Sequence, residues 1–373
     1  MSEARVGLVA NVLDYPAGGG HFWAYLNWAL GLRSLGCEVT WIEKFPAAAS
    51  SEQSERWIAS LSDFLDPFDL GGGIALFGEP AGTAPRIVEG NRPGPIEAEG
   101  DLILNLRYDT PPEVLGRFRR TALVDVDPGL LQIWWHEGQI RVEPHDLYLT
   151  ISEAVGKGDR RFPDCGVEWH WVPRPVSLDH WTKETDDAGF FTTVTHWWDR
   201  WVKFGDEYFS NSKRDSFLRF LDLPSRTNTP LELAVNLPEE DPEYALLRDH
   251  GWSVRNAAEV SGSPDAYSRY VGESRGEFSC VKPSCVRLQN AWVSDRTVCY
   301  LASGRPAIVE DTGPIGHVPD GMGFLRFTTV DQAAQALNAV QEDYEAHARS
   351  ARKIAEEVFD ARKTASRILE LAS

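Results

Sequence analysis

The sequence predicts an α/β chain of two doubly wound, Rossmann-like halves that face each other. Three observations lead there. Val6-Gly7-Leu8-Val9-Ala10, a glycine-bearing loop, an apolar helical stretch and Glu38-Val39-Thr40-Trp41-Ile42-Glu43 form a β-loop-α-β unit at the start. A second alternation of strands and helices begins after the stiff Pro173-Arg174-Pro175-Val176. The length of 373 residues, at roughly 150 per domain, also points to two domains. Their expected bounds are 1–175 and 176–355, followed by a closing helical segment over 356–373.

In the first half, Asn11 to Gly20 reads as a loop ending in Gly18-Gly19-Gly20, and His21 to Leu35 as a helix closed by Gly36. The triple glycine lacks the dinucleotide fingerprint spacing, which argues against a nicotinamide cofactor. Glu52 to Phe68 reads as helix, and the Gly- and Pro-rich stretch from Gly71 to Gly100 as irregular. Strands are expected at Asp101 to Leu106, Thr121 to Asp127, Leu147 to Ile151 and Val167 to Trp171, with a helix from Pro112 to Phe118.

In the second half, Phe190 to Val194 reads as a strand, followed by the aromatic loop Thr195-His196-Trp197-Trp198. Strands at Leu231 to Val235, Trp252 to Val254 and Gly276 to Val281 alternate with helices at Ser212 to Asp222, Glu243 to His250 and Pro264 to Gly272. The most informative stretch is Ser294 to Gly313. Ser294 caps a short helix, and Asp295 sits in its first turn, where the macrodipole favours an anion. Gly304 and Pro306 end that helix, and Ala307-Ile308-Val309 is a strand covered on both faces. The start of the helix and Glu310-Asp311-Thr312-Gly313 are therefore expected at the carboxyl edge of the sheet, where open α/β sheets bind ligands. Residues Val330 to Leu371 read as two or three helices.

A formal charge of −19 argues against unspecific binding to nucleic acid or an anionic membrane. No apolar run approaches the roughly 20 residues of a membrane span. Cys37, Cys165, Cys280, Cys285 and Cys299 are odd in number and match no zinc spacing. Reduced thiols, and with them a cytoplasmic protein, are expected. The fourteen tryptophans are unusual, and many fall near loops. Exposed aromatics at loop ends often stack on sugars or rings, although most serve packing.

Several words of the sequence resemble a bacterial family of GT-B glycosyltransferases related to the group-1 enzymes. They are Ser274-Arg275-Gly276-Glu277-Phe278-Ser279, Trp292-Val293-Ser294-Asp295-Arg296, Tyr300-Leu301-Ala302-Ser303-Gly304-Arg305-Pro306, Glu310-Asp311-Thr312-Gly313 and Asp125-Val126-Asp127-Pro128-Gly129. The resemblance implies two facing domains, the sugar nucleotide in the second and the acceptor in the first, with the last helices crossing back. One departure stands out. Where group-1 enzymes carry a ribose-binding glutamate, this chain has Cys299, and Asp295 one turn earlier is the substitute.

The expected chemistry is sugar transfer from a nucleotide-diphosphate sugar of the UDP, GDP or TDP type to a hydroxyl or amine acceptor, with no further cofactor and no metal. Arg296, Lys282 and more weakly Arg287 are the cations for the diphosphate. Asp295 is assigned to ribose, Asp311 to the donor sugar, and Glu310, Thr312 and Gly313 to the same edge. His21, at a helix start that keeps imidazole neutral, is the base candidate. The resemblance gives it a steadying aspartate, Asp125 or Asp127. His196 is expected to face the cleft and touch donor phosphate or sugar. Two competitors share the fold: a sugar-nucleotide epimerase relying on Asp125, Asp127 and Glu310, and a non-catalytic sugar-nucleotide-binding protein.

Overall fold

In the first half, β1 (Arg5–Val9) leads through α1 (Gly19–Ser34) to β2 (Glu38–Lys44), the unit expected from the hydrophobic pattern. The computed structural model describes residues 4–44, 51–77, 88–89, 100–157, 161–182 and 189–373. After β2 come α2 (Ser51–Leu65), β3 (Ile74–Phe77), β4 (Val88–Glu89), β5 (Gly100–Asn105), α3 (Pro112–Leu115), β6 (Phe118–Asp125), α4 (Leu130–His136), β7 (Leu147–Thr150) and β8 (Trp169–Trp171). Among the described residues these strands form one sheet in the order β4-β3-β2-β1-β5-β6-β7-β8, parallel except for the antiparallel β3–β4 pair. Two strands thus lie in the stretch read as irregular. The rest of that stretch, 78–87 and 90–99, is outside the described residues.

The second half opens with β9 (Phe191–Thr195). A hairpin of β10 (Val202–Phe204) and β11 (Glu207–Phe209) follows, then α5 (Lys213–Arg219), β12 (Leu231–Val235), α6 (Pro242–Asp249), β13 (Ser253–Asn256), α7 (Ala257–Ser261) and α8 (Pro264–Glu273). The chain continues through β14 (Gly276–Ser279), α9 (Pro283–Leu288), α10 (Asp295–Ala302), β15 (Ala307–Glu310) and β16 (Phe324–Phe327). The sheet order is β13-β12-β9-β14-β15-β16, all parallel. Ser294 accepts from the Arg296 amide at 3.1 Å, and Gly304 takes a φ of 65°, so α10 is capped at both ends as its sequence requires.

Three helices close the chain: α11 (Val330–Glu342), α12 (Tyr344–Ile354) and α13 (Ala361–Ala372), the last two joined by a π turn at Ala355–Phe359. That turn bends the chain back to the first half. There the Val176 amide donates to Phe359 O at 2.7 Å and the Ala361 amide to Val176 O at 3.0 Å, stapling the proline-rich connector. Helix α13 packs on α1.

Helix α1 is apolar all round. Phe22, Trp23, Tyr25, Leu26, Trp28, Ala29, Leu30 and Leu32 are buried, because α1 meets the first sheet, α8, α10 and α13. Two glycines permit this. A Cβ at Gly19 would overlap the Ser263 carbonyl of the second half, and one at Gly31 would overlap the Ala361 carbonyl. The Trp23 indole also crosses between the halves, donating to Pro264 O at 3.0 Å. All five cysteines are free. No helix among the described residues is long and apolar enough to cross a membrane.

Candidate active site

Each sheet reverses its strand order at one point. In the first, β1 has β2 on one side and β5 on the other; in the second, β9 lies between β12 and β14. Open α/β sheets take ligands outside the carboxyl ends of the strands at such a reversal. The segments leaving β1, β5, β9 and β14 carry His21, Arg107 and Tyr108, His196, and Lys282 respectively. They converge on a cleft between the halves, in adjoining cavities of about 410 and 1010 Å³. His21, Asp127, His196, Lys213, Asn236 and Lys282 line both.

His21 is half-buried on the first turn of α1, with Tyr15 and Tyr25 edge-on to its ring. Its Nε2–H donates to the Asn11 carbonyl at 2.8 Å. Burial pushes its pKa down, against the Asn11 bond and the nearby Asp295, Asp127 and Asp14. The partner that orients the ring is thus a backbone carbonyl, not Asp125 or Asp127 as the resemblance implied. The loop carrying that carbonyl is anchored below by buried Glu43, which accepts from Val12 N at 2.9 Å and Trp41 Nε1 at 3.0 Å.

The two aspartates at the end of β6 do different things. Asp127 reaches the cleft and accepts from Tyr108 Oη at 3.2 Å. Asp125 is fully buried and lines neither cavity; it accepts from Gln132 Nε2 at 2.8 Å, Thr150 Oγ1 at 3.0 Å and the Asp127 amide at 3.0 Å. Burial raises its pKa to about 7. It organises the β6–α4 turn and does not reach the cleft as a catalytic residue would, contrary to the expectation from the sequence.

Arg296 lines the smaller cavity with its fork already committed. Nε donates to Glu277 at 2.7 Å, Nη1 to Val194 O at 2.8 Å, and Nη2 to Ser279 Oγ. Both Arg296 and Glu277 are buried, so the pair is internal structure and offers no free fork to a diphosphate. Among the described residues the lysines that face the cleft are Lys282 and Lys213, while Arg107 lines the larger cavity with its guanidinium paired to Asp14 and Asp109. Lys282 pairs with Asp199 at 2.7 Å; burial opposes its charge, but Asp127 and Asp199 outweigh burial and raise its pKa. Lys213 has no hydrogen-bond or ion-pair partner among the described residues and sits 6.0 Å from the centre of the Trp292 ring. Burial, with Arg296 and Lys282 nearby, lowers its pKa to about 7.

Asp295 lines the smaller cavity, 3.9 Å from Arg174 of the connector. Cys299, in the ribose-binding position of the resemblance, is buried and gives its thiol to Asp295 O at 3.1 Å, one helical turn back. His196 is exposed at the mouth, its pKa lowered by burial and then by Lys213. Glu310, Asp311, Thr312 and Gly313 miss the cavities because β15 lies one strand beyond the reversal. Glu310 holds Arg219 at 2.5 Å and the Val281 amide at 3.1 Å; Asp311 pairs with Arg326 at 3.1 Å. Thr312 donates to Trp292 O at 3.0 Å, and the Gly313 amide to Asp311 at 2.9 Å. Together they brace the segment below the site. Arg287 pairs with Glu207 away from it.

No family model matches the chain, and no curated protein matches it in sequence. Solved structures do match. Sucrose-phosphate synthase from Thermosynechococcus elongatus superposes with a TM-score of 0.56 at 11% identity, over 99% of this chain and 98% of that one. Anabaena HepE in complex with UDP and glucose gives 0.56 at 12% identity, over 99% of both chains. An α-glucosyltransferase in complex with UDP and a 13-mer DNA gives 0.57 at 9% identity, over 100% of both. The fold is GT-B.

Within this GT-B fold, Lys213 is the site residue that the sequence reading passed over. It starts α5 after the hairpin, and only the central place of β9 in the sheet brings it to the cleft. Tyr267 lines the smaller cavity and Tyr108 the larger, neither marked by a local sequence signal, and Trp292 of the resemblance lines the smaller one.

Proposed function

We propose that the chain is a glycosyltransferase that moves a sugar from a nucleotide-diphosphate donor to a hydroxyl acceptor. One observation carries the reading: His21 and the ammonium groups of Lys213 and Lys282 line a single interdomain cavity. Transfer with inversion needs those two functions on opposite sides of one carbon. The acceptor oxygen bonds to the anomeric carbon while the bond to the diphosphate breaks. The acceptor proton goes to His21, and the charge growing on the diphosphate is stabilised by Lys213 and Lys282. Asp295, in the smaller cavity, takes donor hydroxyls, and Asp127 lines the cleft close enough to act electrostatically on both His21 and Lys282. The resident protein is cytoplasmic in this reading.

HepE and the α-glucosyltransferase were solved with UDP, so a uridine diphosphate sugar is the first donor to test. That α-glucosyltransferase is also bound to DNA, whereas the charge of −19 on this chain disfavours a polyanionic acceptor. The epimerase reading needs a carboxylate cluster in the cleft; of Asp125, Asp127 and Glu310, only Asp127 lines it.

Thermal-shift measurement with UDP, GDP, TDP and ADP tests the proposal. A nucleotide at 100 times its dissociation constant adds about 2.7 kcal/mol, a readable shift. Absence of a shift with all four would sink the donor assignment. Turnover of the stabilising sugar nucleotide without any acceptor would favour the epimerase, and binding without turnover over a broad acceptor panel the non-catalytic protein.

A further inference from the structure

The β10–β11 hairpin has two faces of opposite character. Its register pairs Val202 with Phe209 and Lys203 with Tyr208. Val202 and Phe209 are buried against Leu130, Ile133 and Phe162 of the first half. The opposite face carries Lys203 and Tyr208, and Trp201 falls on that side by the two-residue alternation of an extended chain. Tyr208 is 64% exposed and Trp201 67%.

This outward face adjoins the cleft. Trp198, 52% exposed, lines the larger cavity three residues before Trp201, and Arg214 lies over its ring at 5.6 Å from the centroid. The hairpin is fastened beside the same cavity: Gln139 Nε2 donates to Lys203 O at 3.1 Å, and the next residue, Ile140, lines the cavity. One exposed ring, Trp198, thus lines the cleft and two more, Trp201 and Tyr208, lie on the hairpin beside it, with Asp199, Arg200 and Lys203 interleaved in sequence.

We infer that this face is an acceptor platform for a carbohydrate chain, with the reacting end in the cleft at His21 and further sugar units on Trp198, Trp201 and Tyr208. The inference rests on the transferase reading for the reacting end only. A pyranose presents an apolar C–H face rimmed by hydroxyls, and flat rings with charged hydrogen-bonding groups beside them complement it; Arg214 over Trp198 and Lys203 over Tyr208 leave the opposite ring faces for stacking.

The test titrates the full chain with neutral malto- and cello-oligosaccharides, from monosaccharide to hexasaccharide, followed by tryptophan fluorescence. Binding is expected to tighten with chain length in at least one series. The double variant Trp201→Ala/Tyr208→Ala is expected to weaken the hexasaccharide about tenfold, the loss of two stacking contacts, while Leu246→Ala, another exposed apolar residue, does not. Circular dichroism and an unchanged nucleotide thermal shift establish that the variant is folded. Binding independent of chain length, binding unaffected by the double variant, or no binding in either series overturns the platform. So does binding of the wild-type chain to phosphatidylglycerol vesicles, abolished by the double variant, in place of oligosaccharide binding, which would make the face a membrane contact. A nucleotide shift without length-dependent oligosaccharide binding overturns the platform and leaves the transferase; the converse result leaves the platform and overturns the transferase.

Discussion

The His21 imidazole is tied to the Asn11 carbonyl, 2.8 Å from Nε2. A carbonyl only accepts, so Nε2 carries the hydrogen, and in the neutral ring Nδ1 is left with its lone pair. The chain fixes a proton-accepting tautomer without spending a carboxylate on it.

Replacing His21 with alanine should therefore separate binding from chemistry. The nucleotide-induced thermal shift is expected to persist, while transfer falls by about 10²–10⁴-fold, the usual contribution of a positioned base. Because burial holds the His21 pKa below its ordinary 6.5, the ring stays neutral down to more acidic pH. The acid limb of the pH–rate profile should lie below that value. A limb above it, or normal transfer by His21→Ala, would remove His21 from the mechanism.

Lys213 predicts a different pH dependence. Its pKa is lowered to about 7, so the charge is present below that pH and lost as pH rises through it. In the unliganded protein, affinity for a nucleoside diphosphate should decline above about pH 7, measured by calorimetry at constant ionic strength. Lys213→Arg keeps its charge and should flatten the decline. Lys213→Ala and Lys282→Ala should each weaken binding, and a Lys213→Ala variant with wild-type affinity would exclude this lysine from the diphosphate site.

Arg296→Ala leaves Glu277 buried without its partner. Breaking a buried pair from one side costs about 3–5 kcal/mol. The denaturation midpoint should fall accordingly with no nucleotide present. A variant of undiminished stability that had lost only nucleotide affinity would restore the diphosphate role that the sequence had suggested.

Gly19→Ala sets two effects against each other. In a helix, alanine is favoured over glycine by about 1 kcal/mol, but the added methyl meets the Ser263 carbonyl, a backbone group that cannot rotate away. The expected result is a less stable protein whose transfer rate drops more than its nucleotide affinity, since the tip of α1 carries His21. A stabilised variant would mean that the contact between the halves yields easily.

Much of this was legible in the sequence, and the failures share one cause. His21 opens the helix that follows β1 and its loop, and Lys282 lies three residues after β14, which puts each at the carboxyl edge whatever the sheet order. Glu310 to Gly313 satisfy the same local rule and still miss the cleft, since β15 lies outside the reversal point, and strand order is a long-range property. Lys213 escaped for the converse reason: its own surroundings in sequence are unremarkable. Arg296 reads identically as a phosphate ligand or as the mate of Glu277, nineteen residues away on a neighbouring strand. The hairpin strands have three residues each, too few for alternation to register against background.

Helix α1 is held at one end by Ser263 and further along by Ala361, through glycines that admit no side chain. An inserted or deleted residue between Gly19 and Gly31 would turn one contact about 100° relative to the other, the angular step of an α-helix. If Gly31 kept its seat, His21 would swing out of the cavity. The twelve-residue interval between those glycines is thus a ruler for the whole molecule.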